Sequence, residues 1–250
     1  MKRYARYIVA ATLLCSVRSA ESNRPRPAVN EKTVVSAYRI FAKSGHESDL
    51  ERGLAAHVKK YHKGDWAWRI SQVLSGPDSE AFEIAEGPMS WTALDQRGNL
   101  GPEHRKDWLE NVVPHIERTL PDNYAVYVAA LSTVALTEWS DKVLVRHFTI
   151  KPGHETGARE ILKAWKAVFG DHGMNVVVSR SAWSGVDGYH VAIRLKHGWK
   201  DLEAEIPDLD HALETKWGPS EAARLRQATR DDIAGISDEM LLYKPELSSD

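Results

Sequence analysis

Cysteine is almost absent from this chain of 250 residues, with Cys15 standing alone. One thiol cannot form an intramolecular disulfide or a thiolate metal cluster. The sequence also lacks a Gly-rich phosphate loop, a Gly-x-Ser-x-Gly elbow and a His-Glu-x-x-His pair. Nucleotide chemistry, α/β-hydrolase catalysis and zincin chemistry are therefore disfavoured. Long apolar runs are missing as well. The stretch from Ile8 to Val17 is too short to span a bilayer of about 30 Å as a helix. It follows the basic segment Met1 to Arg6 and precedes the small residues Ser16, Ser19 and Ala20, the layout of a secretory signal peptide over residues 1–20. Cleavage is expected after Ser19, and the bulky Leu14 before Cys15 argues against lipidation.

An excess of positive charge is the next absence. The whole chain carries 33 basic and 35 acidic residues, and loss of Lys2, Arg3, Arg6 and Arg18 with the leader leaves 29 against 35, a net of −6. Nucleic acid is not an expected partner, because phosphate binding needs a clustered basic surface. The expected location is periplasmic or secreted, with no membrane attachment once the leader is removed. Residues 21–31, with Asn23-Arg24-Pro25-Arg26-Pro27, read as an extended tether. At about 230 residues the remainder buries enough apolar surface to fold without disulfides. The polar end, Glu246 to Asp250, is expected to fray.

What the chain has instead is a long internal echo. Lys43-Ser44-Gly45-His46-Glu47 returns 108 residues later as Lys151-Pro152-Gly153-His154-Glu155. Ser75-Gly76-Pro77-Asp78 returns as Ser184-Gly185-Val186-Asp187, and Trp91-Thr92-Ala93-Leu94 as Trp199-Lys200-Asp201-Leu202. Tyr127 with Leu131-Ser132 returns as Tyr243 with Leu247-Ser248. A period this long marks a domain-sized unit, with repeats over 32–135 and 141–250.

Each unit opens with a β-rich run, Thr33–Ala42 and then Lys142–Ile150. The Gly-His-Glu turn leads into helices patterned by Leu50, Leu54, Val58 and Tyr61, and by Ile161, Leu162, Trp165, Val168 and Phe169. Hairpins follow over Trp66–Leu74 with Glu80–Glu86, and over Asn175–Trp183 with Tyr189–Leu195. A second helical region comes next: one stripe runs between Arg105 and Leu120, and the other has Ser220 as its cap. Final strands over Tyr124–Ala130 and Met240–Lys244 complete a β-α-β-β-α-β order. The fold class is α+β: two tandem ferredoxin-like repeats whose antiparallel sheets cover one another as a single-chain α+β barrel.

These tandem units, with the Phe82 to Asp95 stretch and its Gly-Pro-x-Ser-Trp-x-x-Leu-Asp, resemble the dimeric α+β barrel superfamily near its NIPSNAP and antibiotic-biosynthesis-monooxygenase-like groups. The likeness covers roughly residues 32–248. It implies a small-molecule pocket between the repeats, but carries no diagnostic catalytic motif, and fold alone does not fix chemistry.

If the strands close a barrel, their alternation separates helix-facing from lumen-facing residues. Phe82 and Ile84 match Val191 and Ile193 and should pack under helices. The other face carries Ala81, Glu83 and Ala85 against His190, Ala192 and Arg194. Arg39 matches His147. His190, Arg194 and His147 are the catalytic candidates, with Arg39, Glu83, Trp66, Trp68 and Trp183 as pocket candidates. A histidine would act as base or ligand, and an arginine would hold an anion; the competing reading is a set of satisfied structural polar pairs. Trp91 and Trp199 read as core. His46 and His154 read as part of a structural turn, since Gly45 and Gly153 relieve the backbone and Glu47 and Glu155 favour a helix N-terminus. No metal site is expected, because His57 and His62 are five apart and do not share a helical face.

The sequence supports an exported barrel protein that binds or transforms a small apolar or aromatic molecule in a monooxygenase-like way. No cofactor is required. The alternatives are a periplasmic haem-binding protein, with His147 or His190 as axial ligand, and a non-catalytic structural or interaction protein. A monomer or weak homodimer is expected, because the fused repeats already cover each other.

Overall fold

A computed structural model describes residues 31–97, 100–183, 187–204 and 207–249. The expected leader, all of the tether but its last residue, and Ser184-Gly185-Val186 of the second hairpin turn lie outside the described residues. In the first half of the chain, β1 (Val34–Ala42) leads into α1 (Glu47–Tyr61), and β2 (Trp68–Val73) forms a hairpin with β3 (Phe82–Met89). Two short helices, α2 (Trp91–Asp95) and α3 (Pro102–Asn111), precede β4 (Ile116–Thr119) and β5 (Asn123–Tyr127). The second half runs β6 (Lys142–Ile150), α4 (Glu155–Asp171), β7 (Asn175–Ala182) and β8 (Gly188–Leu195). It closes with α5 (Asp201–Ala204), α6 (Leu209–Trp217), α7 (Pro219–Asp232) and β9 (Ile233–Tyr243).

The strands of the first half lie in the order β2-β3-β1-β5, and those of the second in the order β7-β8-β6-β9. Two seams then join the halves: Ser71 to Val73 of β2 pairs with β9, and Tyr124 to Tyr127 of β5 pairs with β7. The result is a closed antiparallel ring of eight strands, with β4 attached to β1 outside it. Closure removes the open strand edge that each half would otherwise expose. Among the described residues no helix is long and apolar enough to cross a membrane.

Alternation divides the side chains as the sequence pattern predicts. Phe82 and Ile84 pack with Leu50, Leu54 and Val58 of α1; Val191 and Ile193 pack with Ile161, Leu162 and Phe169 of α4. Burying each such side chain contributes roughly 1.5–3 kcal/mol, so these outer faces hold the helices on the barrel. The inward faces are left to line a lumen.

Several expectations are corrected. The helix expected between Arg105 and Leu120 ends at Asn111, and the chain turns at Pro114 and continues as β4. Proline has no N–H to offer a helix interior, and β4 gains pairing with the far end of β1. Ser220 does not cap α7: Gly218 is the cap and Pro219 takes the first helical position. Trp91 and Trp199 stand on the surface rather than in the core. Of the end expected to fray, the described residues 246–249 are held instead, because Leu247 is buried in the core of the first half and Ser248 and Ser249 bond to β2.

Candidate functional site

The lumen holds a cavity of about 430 Å3, within the usual range for small-molecule sites. Its middle is apolar, lined by Ala37, Ala85, Val143, Val145, Ala192 and Leu241. Polar side chains occupy two separate regions. On β8, His190 and Arg194 are four residues apart, about 13 Å along a strand. Register places His147 opposite His190 and Val143 opposite Arg194, so β6 keeps the same division.

At one end Arg39 is surrounded by carboxylates. Its Nη1 donates to Asp78 Oδ2 at 2.9 Å and to Glu239 Oε2 at 2.8 Å. Its Nη2 donates to Glu83 Oε2 at 2.6 Å and to Glu239 Oε1 at 2.5 Å. Burial alone would lower the Arg39 pKa, but the charges of Glu83 and Glu239 hold it above its ordinary range. Burial likewise works to raise the Glu239 carboxyl. The hydrogen bonds from His147 and Arg39 outweigh it and bring Glu239 down to about 2. Glu239 is therefore a buried, ionised carboxylate at neutral pH.

From Glu239 a hydrogen-bonded line runs through two imidazoles. His147 Nε2 lies 2.8 Å from Glu239 Oε1, and His147 Nδ1 lies 2.7 Å from His190 Nδ1. His190 Nε2 lies 2.9 Å from Ser181 Oγ. An ionised carboxylate can only accept, so His147 Nε2 carries a proton. With both rings neutral, His190 Nδ1–H donates to His147 Nδ1, and Ser181 O–H donates to His190 Nε2. Burial, then the neighbouring His147, lowers the His190 pKa to about 4, which keeps that ring neutral at pH 7. With a pKa of about 4 the His190 ring holds a proton poorly by itself, so a proton taken at its Nε2 would be passed on through Nδ1 toward His147 and Glu239.

At the other end Arg194 faces Trp139, its guanidinium carbon 4.6 Å from the ring centre. Arg69 stands 4.8 Å from the same ring and 3.4 Å from that of Tyr243, and donates to the Ser140 carbonyl at 2.9 Å. Asp141 lies close enough to Arg69 to support its charge. Arg194 makes no ion pair among the described residues, and its buried Nε has no hydrogen-bond partner. Burial, then repulsion from Arg69, lowers the Arg194 pKa to about 10. A half-buried cation with a buried, unpaired Nε and no anion beside it is costly, so this end of the cavity favours a negatively charged guest.

His190, Arg194, His147, Arg39 and Glu83 all line this one cavity, although Arg194 serves the opposite end from the other four. The three tryptophan candidates do not line it. Trp68 is helix-facing, donates to Glu86 and stacks on His62. Trp66 stands outside the barrel near Arg97, and Trp183 is 87% exposed against Trp91. The alternation of β2 explains the miss: Arg69 and Ser71 point inward, which sends Trp68 and Ile70 outward. Glu239, Arg69 and Trp139, none of them a candidate from the sequence, also line the cavity, as does Asp78 of the first hairpin turn. Arg69 was readable from that alternation. Trp139 lies between the two halves, where no periodicity marks it.

All four ring nitrogens of His147 and His190 have hydrogen-bond partners, so axial haem ligation by either ring requires one of those bonds to break. Other histidines converge outside the lumen. His57, His62 and His104 meet where α1 and α3 pack together, a convergence that their spacing in the sequence does not show. The five-residue spacing of His57 and His62 argued against a shared helical face. His62 in fact lies beyond the last residue of α1, with extended backbone (φ −103°, ψ 98°), so helical spacing does not apply to it.

By sequence, the chain matches no known family profile and no characterised protein. By structure it is similar to a proposed monooxygenase from Fusobacterium nucleatum subsp. nucleatum, at 13% identity and a TM-score of 0.56 over 87% of this chain and 94% of the other. It is also similar to a proposed monooxygenase from Lactobacillus acidophilus NCFM, at 11% identity and a TM-score of 0.50 over 85% and 94%. At such identities the likeness shows the fold alone, a closed antiparallel α+β barrel in one chain.

Proposed function

We propose that the lumen binds a small anionic molecule with an apolar or aromatic body and takes a proton from it, as the first step of a monooxygenase-like reaction. The observation that carries this reading is Arg194, a half-buried cation whose buried Nε has no partner and which has no anionic partner among the described residues, in one cavity with the hydrogen-bonded His147–His190 pair. The guest's anionic group would lie against Arg194 and Arg69, and its body along the apolar middle of the lumen. Its acidic hydroxyl would replace Ser181 at His190 Nε2. His190 takes that proton and passes its Nδ1 proton to His147. The positive charge then rests beside Glu239, which stays ionised and stabilises it. The deprotonated, electron-rich guest is the species that would react with dioxygen, and the fold shared with two proposed monooxygenases supports that continuation.

The test is a calorimetric titration with 4-hydroxybenzoate and its uncharged amide, followed in parallel by tryptophan fluorescence. The carboxylate is expected to bind at least tenfold more tightly than the amide, and Arg194→Gln to remove that preference. A charge-assisted hydrogen bond is worth about 1.5–3 kcal/mol, which corresponds to tenfold or more. Equal affinity for the two compounds, or an unchanged preference in the variant, would overturn the reading.

A further inference from the structure

The first half of the chain buries a cluster that the lumen does not use. His57 lies just before the last turn of α1, His62 just beyond its end, and His104 on the first turn of α3. His104 Nε2 is 3.1 Å from His57 Nε2 and 3.3 Å from His62 Nε2. The ligand atoms of all three rings lie within 4.8 Å of one another. An ion held tetrahedrally at about 2.0–2.1 Å from each nitrogen would separate its ligands by roughly 3.3 Å, a spacing that the two distances to His104 match.

The far side of each buried ring is anchored. His57 Nδ1 lies 2.7 Å from Asp107 Oδ2, and Asp107 is itself fixed by Asn111 Nδ2 at 3.1 Å. His62 Nδ1 lies 3.2 Å from the Trp66 carbonyl. Both Nδ1 atoms therefore donate, and both Nε2 lone pairs point to the centre. Such carboxylate–histidine and carbonyl–histidine pairs fix the ligating tautomer at metal sites. Without an ion, a single N–H on His104 would have to serve two lone pairs on buried rings, His57 being 0% and His62 1% exposed.

The surroundings also suit an ion. Trp68 stacks on His62 with ring centres 3.5 Å apart, Trp108 lies 5.1 Å from His57, and Tyr61 lies 5.1 Å from His104. This aromatic shell limits solvent, while the partly exposed His104 leaves one side open for a fourth ligand. Close packing of the helices sets the geometry. A Cβ on Gly53 would meet the Asn111 carbonyl oxygen at 2.2 Å, so only glycine lets α1 approach α3 this closely.

We propose that His57, His62 and His104 bind one divalent transition ion of the zinc class through their Nε2 atoms, at a site separate from the lumen. Neutral imidazoles suit Zn2+, Co2+, Ni2+ and Cu2+ rather than Mg2+ or Ca2+. The test uses the full, untagged chain, stripped with chelator and titrated with Co2+ and with Zn2+. One equivalent of Co2+ is expected to give the visible absorption of a four-coordinate ion, and Zn2+ to displace it. His104→Gln, at the partly exposed ligand, should abolish that band while keeping the apo far-UV circular dichroism. Asp107→Asn should weaken binding 10–100-fold with the same stoichiometry, and reads the site even if His104→Gln misfolds. His46→Gln, in the exposed cluster with Asp49 and His115, should change nothing. Absence of a one-to-one cobalt spectrum, or an unchanged spectrum in a folded His104→Gln, would overturn the proposal.

Discussion

Glu239 is the residue on which the lumen's polar network converges, because it accepts from Arg39 and His147 while 3% exposed. Its folded pKa of about 2 lies below the ordinary 4.5. A depressed folded pKa contributes stability that is complete above the unfolded value and is lost as pH falls toward the folded one. The shift corresponds to about 3 kcal/mol, present at pH 7 and lost progressively between about pH 4.5 and 2. We expect Glu239→Gln to lower stability in urea by about that amount at pH 7, with the gap to the wild type narrowing at pH 3. A gap independent of pH would rule out this account. His190 behaves in the same direction in a higher window. Its pKa falls from 6.5 to about 4, so its contribution is complete above pH 6.5 and lost toward pH 4. His190→Gln should therefore flatten the loss of stability over that interval, and an unchanged slope would show that the ring is not buried neutral. His147, His190, Arg39 and Glu83 were legible in the sequence because apolar and polar residues alternate on their strands. Glu239 was not. The segment from Ile233 to Asp238 holds Gly235, Ser237 and Asp238 and reads as a loop. It becomes strand only because β6 offers it a partner along its whole length.

At the scale of elements, the repeated Lys-x-Gly-His-Glu is a clasp built twice. The His46 N–H donates to the Lys43 carbonyl at 2.9 Å, and the His154 N–H to the Lys151 carbonyl at 3.0 Å. The glycines between take φ of +81° and +83°, where a side chain is strained. Lys43 Nζ reaches the Pro114 carbonyl at 2.7 Å, and Lys151 Nζ reaches the Arg230 carbonyl at 2.8 Å. His46 stands 3.3 Å from His115, and His154 stands 2.6 Å from Asp232. Each motif thus ties the start of its half's long helix to the segment leading into that half's last strands. A Cβ at Gly45 or Gly153 meets nothing within 4 Å, so only the backbone resists. Gly45→Ala and Gly153→Ala should each cost about 1 kcal/mol and add in the double variant, as denaturant midpoints would show. Coupling between them would contradict two independent clasps. The clasp was legible because glycine's conformational role is local. The early end of α3 and the presence of α6 were not, since pairing of β4 and packing against α4 and α7 decide them.

Over the whole molecule, each half finishes inside the other. Leu131, just past β5, is buried in the core of the second half, and Leu247, just past β9, in the core of the first. The serine after each leucine repeats the exchange: Ser132 Oγ accepts from the Val178 N–H at 2.8 Å, and Ser248 Oγ from the Ile70 N–H at 2.9 Å. This is the physical content of the Tyr-x-x-x-Leu-Ser echo. It was visible as a repeat, but nothing local says that the leucine crosses to the opposite half. The two seams and the Arg39–Glu239 pair cross the same boundary. Opening one half would therefore expose core, strand edge and charge of both. Leu247→Ala removes a side chain that is 2% exposed, at an expected cost of about 2–5 kcal/mol. Because Leu247 belongs to one half by sequence and the other by packing, that loss should lower a single transition. Tryptophan fluorescence and far-UV circular dichroism should shift together in urea, with the slope unchanged. Two separated transitions, with the α1 side melting first, would mean that the exchanged ends are ornaments on two independent units. One displaced transition would show that barrel closure makes the halves a single cooperative structure.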